Sequence, residues 1–140
     1  MLSRRFLLTG LVLAVSAHAQ TRAEYAEKAA RRFPQPVRVG DLIGREVLEP
    51  KERQSVLGQV AGIRRGGDGG IDLLMRTGGV LGIGARLVEL PIEAVALLGE
   101  HVALLDLTPD QLAKLPAAPE HGQDVPADQL IRVGLVRPFH

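Results

Sequence analysis

Between Val37 and Leu107 the chain is a succession of short aliphatic runs with a glycine at nearly every reversal. Residues 37–47, 56–63, 71–76, 85–91 and 102–107 are each rich in Val, Ile and Leu, and the segments between them contain Gly or Pro. Regularly spaced short strands with turn residues between them specify a mainly β fold, a small barrel or sandwich, rather than an α/β enzyme. Ile71, Leu73 and Met75 alternate with Asp72 and Arg76, as in a strand with one wet face. Gly44 and Gly58 stand inside a strand pattern, where glycine marks a bulge or bend that a small barrel needs to close. Arg65-Gly66-Gly67-Asp68-Gly69-Gly70 and Thr77-Gly78-Gly79 read as hairpin connections.

Residues 1–19 stand apart from this pattern. Arg4 and Arg5 precede an apolar run over 6–15, and Ala17-His18-Ala19 is a small-x-small site just before Gln20. Together these features predict a secretory signal peptide cut between Ala19 and Gln20. A membrane anchor would need about 20 apolar residues, and this run is shorter. Later apolar runs are interrupted by charges or glycines, so no transmembrane segment is expected. The paired arginines also resemble a twin-arginine signal, but the strongly apolar run favours the Sec route. The expected location is periplasmic or secreted. Without Arg4 and Arg5, seventeen basic residues become fifteen against sixteen acidic ones, so the formal charge moves from +1 to −1. The basic balance therefore belongs to the leader and gives no reason to expect nucleic acid. Cysteine is absent, so the core must hold without disulfides.

Residues 20–36 form a predicted helical arm. Tyr25, Ala29 and Phe33 recur at i, i+4 and i+8, Ala26 and Ala30 lie beside them, and Pro34 and Pro36 stop the helix. So short a helix is marginal alone: it packs on the following domain or a partner, or it frays as a leader. The domain itself spans 37–116. Near its end, Thr108-Pro109-Asp110-Gln111 supplies an N-cap, a proline at the first helical position and a capping box, which predicts a short C-terminal helix. Residues 117–140 form a proline-rich tail, in which 130–136 is apolar enough for one extra strand.

Four segments resemble the PRC-barrel family, named after the photosynthetic reaction-centre H subunit and shared with a ribosome maturation factor. They are Gly40-Asp41-Leu42-Ile43-Gly44, Leu57-Gly58-Gln59-Val60, the turn from Gly79 to Gly84, and Leu87-Val88-Glu89-Leu90-Pro91. The resemblance covers about half of the chain. It implies a small antiparallel β-barrel, closed or partly open, and a docking module rather than a chemistry. Both family roles sit on the cytoplasmic side, whereas this chain carries an export signal.

Chemistry has few candidates. Ser55 is the only serine after the leader and lies outside any Gly-x-Ser-x-Gly elbow. Glu120, His121, Asp124 and Asp128 share a proline-rich segment with too few nitrogen or sulfur ligands for a structural zinc site. Gly66 to Asp72 is similar to a calcium-binding turn that works only in stacked arrays, and it stands once. The Gly-x-Gly at 82–84 lacks the third glycine and the long helix of a dinucleotide site. The barrel segment has no aromatic residue on which a base could stack. No catalytic residue, cofactor, metal or nucleic acid is therefore expected. Recognition falls to the surface, with Tyr25, Phe33, Arg64, Arg65 and Arg86 as candidate contacts for an envelope protein, since arginine and aromatics are enriched in binding hot spots. The opposing reading is that the arginines keep the surface soluble and the aromatics pack back on the barrel. The sequence thus describes an exported non-enzymatic interaction module. Its alternative is a periplasmic protein binding a small ligand or ion.

Overall fold

The computed structural model describes residues 22–51, 55–78 and 84–136. The leader and its cleavage residues Ala19 and Gln20 lie outside these. A first helix, α1, is described over 22–30. It leads through Phe33 and Pro34 into β1 (Gln35–Arg38), a single helical turn α2 (Val39–Leu42), β2 (Glu46–Leu48), β3 (Val56–Arg65) and β4 (Ile71–Thr77). Next come β5 (Arg86–Pro91), a 3-10 turn (Ile92–Ala94), β6 (Val95–Leu98) and β7 (His101–Leu104). A short helix α3 (Pro109–Ala113), β8 (Gln123–Asp124) and β9 (Leu130–Leu135) complete the order.

The fold is mainly β, and its strands form one sheet in the order β1-β9-β6-β7-β2-β3-β4-β5, with β8 beside β3. The expected purely antiparallel pairing is corrected: β2 runs parallel to β7, and β6 runs parallel to β9. Alternation of side chains reports which face a residue takes but not the direction of the neighbouring strand. Among the described residues the sheet is open, with β1 and β5 at its two ends. A flat sheet of eight strands would be roughly 34 Å across. Only short helices are available to cover it, yet residues from β2 to β7 and from β9 are nearly inaccessible and share one core. The sheet therefore curls until its inner faces cover each other.

Two bulges in β3 set that inner face. Val47 pairs with Gly58 but Leu48 with Val56, and Val60 pairs with Met75 but Gly62 with Leu74. Val60 and Ile63 are both buried although three residues apart. Strict alternation would send them to opposite faces, and the extra residue at Ala61 restores them to the same one. At Gly58 a Cβ would run into the Arg76 carbonyl, so the close approach of β3 and β4 here requires glycine.

The expected strand over 37–47 divides into β1, α2 and β2, because Val39 and Leu42, three apart, both turn into the core. The expected capping box is present: Thr108 Oγ1 accepts from the Gln111 amide (3.1 Å), and Gln111 Oε1 accepts from the Thr108 amide (2.9 Å). α3 is followed by β8 and β9, so it is internal rather than terminal. β9 is the extra tail strand, held between β1 and β6. No described helix is long and apolar enough to cross a membrane.

Candidate docking surface

Four arginines fasten the flanking segments to the sheet. Arg22, in α1, places its guanidinium among Asp68 of the β3–β4 turn, Asp72 of β4 and Glu93 of the 3-10 turn, the last at 3.3 Å. Asp68 also accepts from the Gly70 amide (3.0 Å), which shapes the turn around the arginine. Arg32 grips Asp106 through both Nη atoms, at 2.9 and 3.1 Å, a planar fork matched to a carboxylate. Tyr25, between these two, is half-buried and packs against the core. Burial, followed by the negative charges of Asp106 and Glu24, pushes its phenol above the ordinary tyrosine value. Of the two readings left open for the arm, the structure shows the packed one.

The other two ties hold the C-terminal half. Arg64 is only 8% exposed. It donates to Asp124 (3.0 Å) and to the Pro119 carbonyl (2.7 Å), and lies 3.5 Å from Glu89. Arg86 donates to the carbonyls of Leu112 (3.1 Å), Ala113 (2.7 Å) and Leu115 (2.7 Å). The Ala113 carbonyl ends the helix and is among the acceptors that a helix C-terminus leaves without an intrahelical donor. Arg64, buried, and Arg86, half-buried, are therefore internal ties, which leaves little of either guanidinium for a partner. Arg65, the next residue along β3, is exposed.

Phe33 is 78% exposed, in keeping with the expectation of a surface aromatic. It stands where α1 meets β1, at one end of a ribbon formed by β1 and β9. In this ribbon Arg38 faces Leu130 and Pro36 faces Arg132 across the ladder, and all four point outward. Three of the five exposed large apolar residues among those described, Phe33, Leu130 and Leu135, belong to this ribbon or its end. Neither strand contains a carboxylate. The face is thus apolar with two guanidinium groups. Arg132 is steadied by the Pro34 carbonyl (2.9 Å). β1 is an edge strand, but Pro36 removes an amide from its ladder, so the face rather than the edge is suited to recognition. The opposite edge, β5, is lined by the tail, with the Ala118 amide donating to the Leu87 carbonyl (2.7 Å).

The sequence reading did not single out Arg22, Arg32, Leu130 or Arg132. Their partners lie 46 (Arg22 to Asp68) to 98 residues away along the chain, and no spacing rule reaches that far. The glycine-rich turn that resembled a calcium site holds the Arg22 guanidinium between its carboxylates. Among the described residues no group of histidine, aspartate or glutamate side chains is placed to hold a metal ion. An open cleft of about 720 Å³ lies between the ends of β3, β4 and β5 and helix α3, lined in part by Gln59, Arg76, Thr77 and Leu112.

Comparison with protein-family models, with curated proteins and with solved structures finds no match to this chain.

Proposed function

We propose that this chain is an exported, non-enzymatic docking module of the cell envelope, built on a curled sheet akin to a PRC barrel. Its contact surface is the outward face of the β1–β9 ribbon. The observation that carries this reading is the carboxylate-free face on which Leu130, Arg38 and Arg132 are exposed, with Phe33, 78% exposed, at one end of the ribbon. Exposed aromatic and arginine side chains are the usual anchors of a protein interface. The Arg132 guanidinium is already held by the Pro34 carbonyl, so this side chain needs little ordering on binding. The leader over 1–19 supports export.

Photo-crosslinking tests it. A photoreactive residue in place of Leu130, in protein expressed with its own leader, should capture one envelope protein reproducibly. Capture should fall at least tenfold when Arg38 and Arg132 are both changed to glutamate. The same product from a probe at Ala117, in the tail, would show that the ribbon is not the contact surface.

The cleft beside α3 favours a second reading, a small-ligand-binding envelope protein. Thermal-shift measurements with phosphate, calcium and zinc separate the two. A ligand at a hundred times its dissociation constant adds about 2.7 kcal/mol to apparent stability, and a docking module shows no such shift.

A further inference from the structure

We propose that the arm, residues 22–32, exchanges between two copies of this chain, each docking on the other's sheet through the contacts it makes on its own. The contacts that hold the arm run from it to the sheet and its connections. Arg22 reaches Asp68, Asp72 and Glu93; Arg32 reaches Asp106; Lys28 lies 3.8 Å from Asp106; and Tyr25 packs on the core. The socket is acidic and the arm's anchors are cationic, so an arm from a second copy satisfies it without any new chemistry. Helix α1 is too short to be stable by itself. It needs a socket, but not necessarily its own.

The joint supplies the drive. Phe33 has φ 52°, and it is the only non-glycine residue described with positive φ. This conformation is costly for a bulky side chain. It is doubly disfavoured here, because Phe33 precedes Pro34 and the residue before proline is pressed toward extended backbone. Phe33 recovers nothing by packing, since its side chain is 78% exposed. Such a conformation persists only where the surroundings enforce it, and here the grips of Arg22 and Arg32 do so by drawing the arm back onto its own sheet. In an exchanged dimer every grip is kept, while Phe33 relaxes to the extended form that Pro34 prefers. A short strained joint is what favours exchange over self-docking. This inference does not depend on the docking surface proposed above.

The test is oligomeric state by light scattering over a concentration series, for the wild type, Phe33→Gly and Phe33→Pro. Glycine accepts φ 52° without cost, whereas proline forbids it. Exchange predicts the dimer fraction in the order Phe33→Pro, wild type, Phe33→Gly, with association constants about tenfold or more apart at each step. A dimer held by the aromatic face of the ribbon would lose affinity equally in both variants, so movement in the same direction overturns the proposal. Equal behaviour of all three proteins also overturns it. A second measurement uses the unaltered chain: unlabelled and nitrogen-15 protein are mixed and treated with a carbodiimide. Lys28–Asp106 links joining labelled to unlabelled peptides are expected. Links confined to one label overturn exchange.

Discussion

The guanidinium of Arg22 fills the space that a side chain at Gly70 would need: a Cβ built there falls onto the Arg22 Nη1 atom. Arg22 sits at the start of the described chain and Gly70 closes the β3–β4 hairpin, so the turn serves as a seat for the arm as well as a reversal. Gly70→Ala is expected to expel the guanidinium, not to break the hairpin, because the colliding atom is the far end of a flexible side chain. Gly70→Ala and Arg22→Ala should each cost about 1 kcal/mol, the scale of a partly exposed ion-pair network. The double variant should be no worse than Arg22→Ala alone. Urea denaturation of the four proteins checks this, and additive losses would show that Gly70 matters for another reason.

Helix α3 is held at both ends, by Thr108 before it and by Arg86 across its last carbonyls. With five residues it cannot keep one end formed while the other frays. Thr108→Ala should cost about 1 kcal/mol, as for a lost N-cap, and Arg86→Ala about as much. Together they should cost clearly less than the sum, because either one already melts the helix. A double-mutant cycle measures the coupling, and strict additivity would mean that the helix survives either loss.

Arg64 is buried, but its partners Asp124 and Pro119 belong to the exposed tail and can turn to water once it is gone. The heavy penalty for stranding a buried charge therefore does not apply. Arg64→Ala should cost about 1–2 kcal/mol in lost hydrogen bonds and stem packing. Arg64→Lys should recover only part of this, because a single ammonium cannot hold both partners in a fork. The loss should be local. In hydrogen exchange, amide protection over 123–125 should fall first while the β3–β4 ladder keeps its protection. A uniform loss would mean that Arg64 supports the sheet itself.

Residue pattern carries information over a few positions, and that is how far the fold was legible. β3, β4, β5 and β7 fall on the aliphatic runs, Gly58 lies beside a bulge of β3, and Thr108-Pro109-Asp110-Gln111 caps a helix as written. β6 went unmarked. Val95, Ala96 and Leu98 are all buried, so both faces of this strand are covered and no polar residue breaks the run to show a period of two. The helical turn at Val39–Leu42 was hidden because its two core residues are also compatible with a strand start. Of the residues expected at the surface, Phe33 and Arg65 are exposed. Whether an arginine faces water or a carboxylate across the fold depends on partners such as Asp106, 74 residues from Arg32. Composition sees the same arginine in both cases.

Tyr25 reports on the arm. It is the only tyrosine in the chain, so phenolate absorbance belongs to it alone. Burial, assisted by Asp106 and Glu24, raises its pKa in the docked state, above the ordinary tyrosine value of about 10. The phenol is neutral in docked and undocked forms below that value, so its contribution to docking is fully present there. As pH rises through the ordinary value toward the docked one, the undocked form ionises first and the contribution is lost. Alkaline pH should therefore weaken the docking of the arm. A spectrophotometric titration should give a wild-type midpoint above the ordinary value, and Arg22→Ala or Gly70→Ala should move it back toward that value. A wild-type midpoint already at the ordinary value would mean that the arm is not docked in solution.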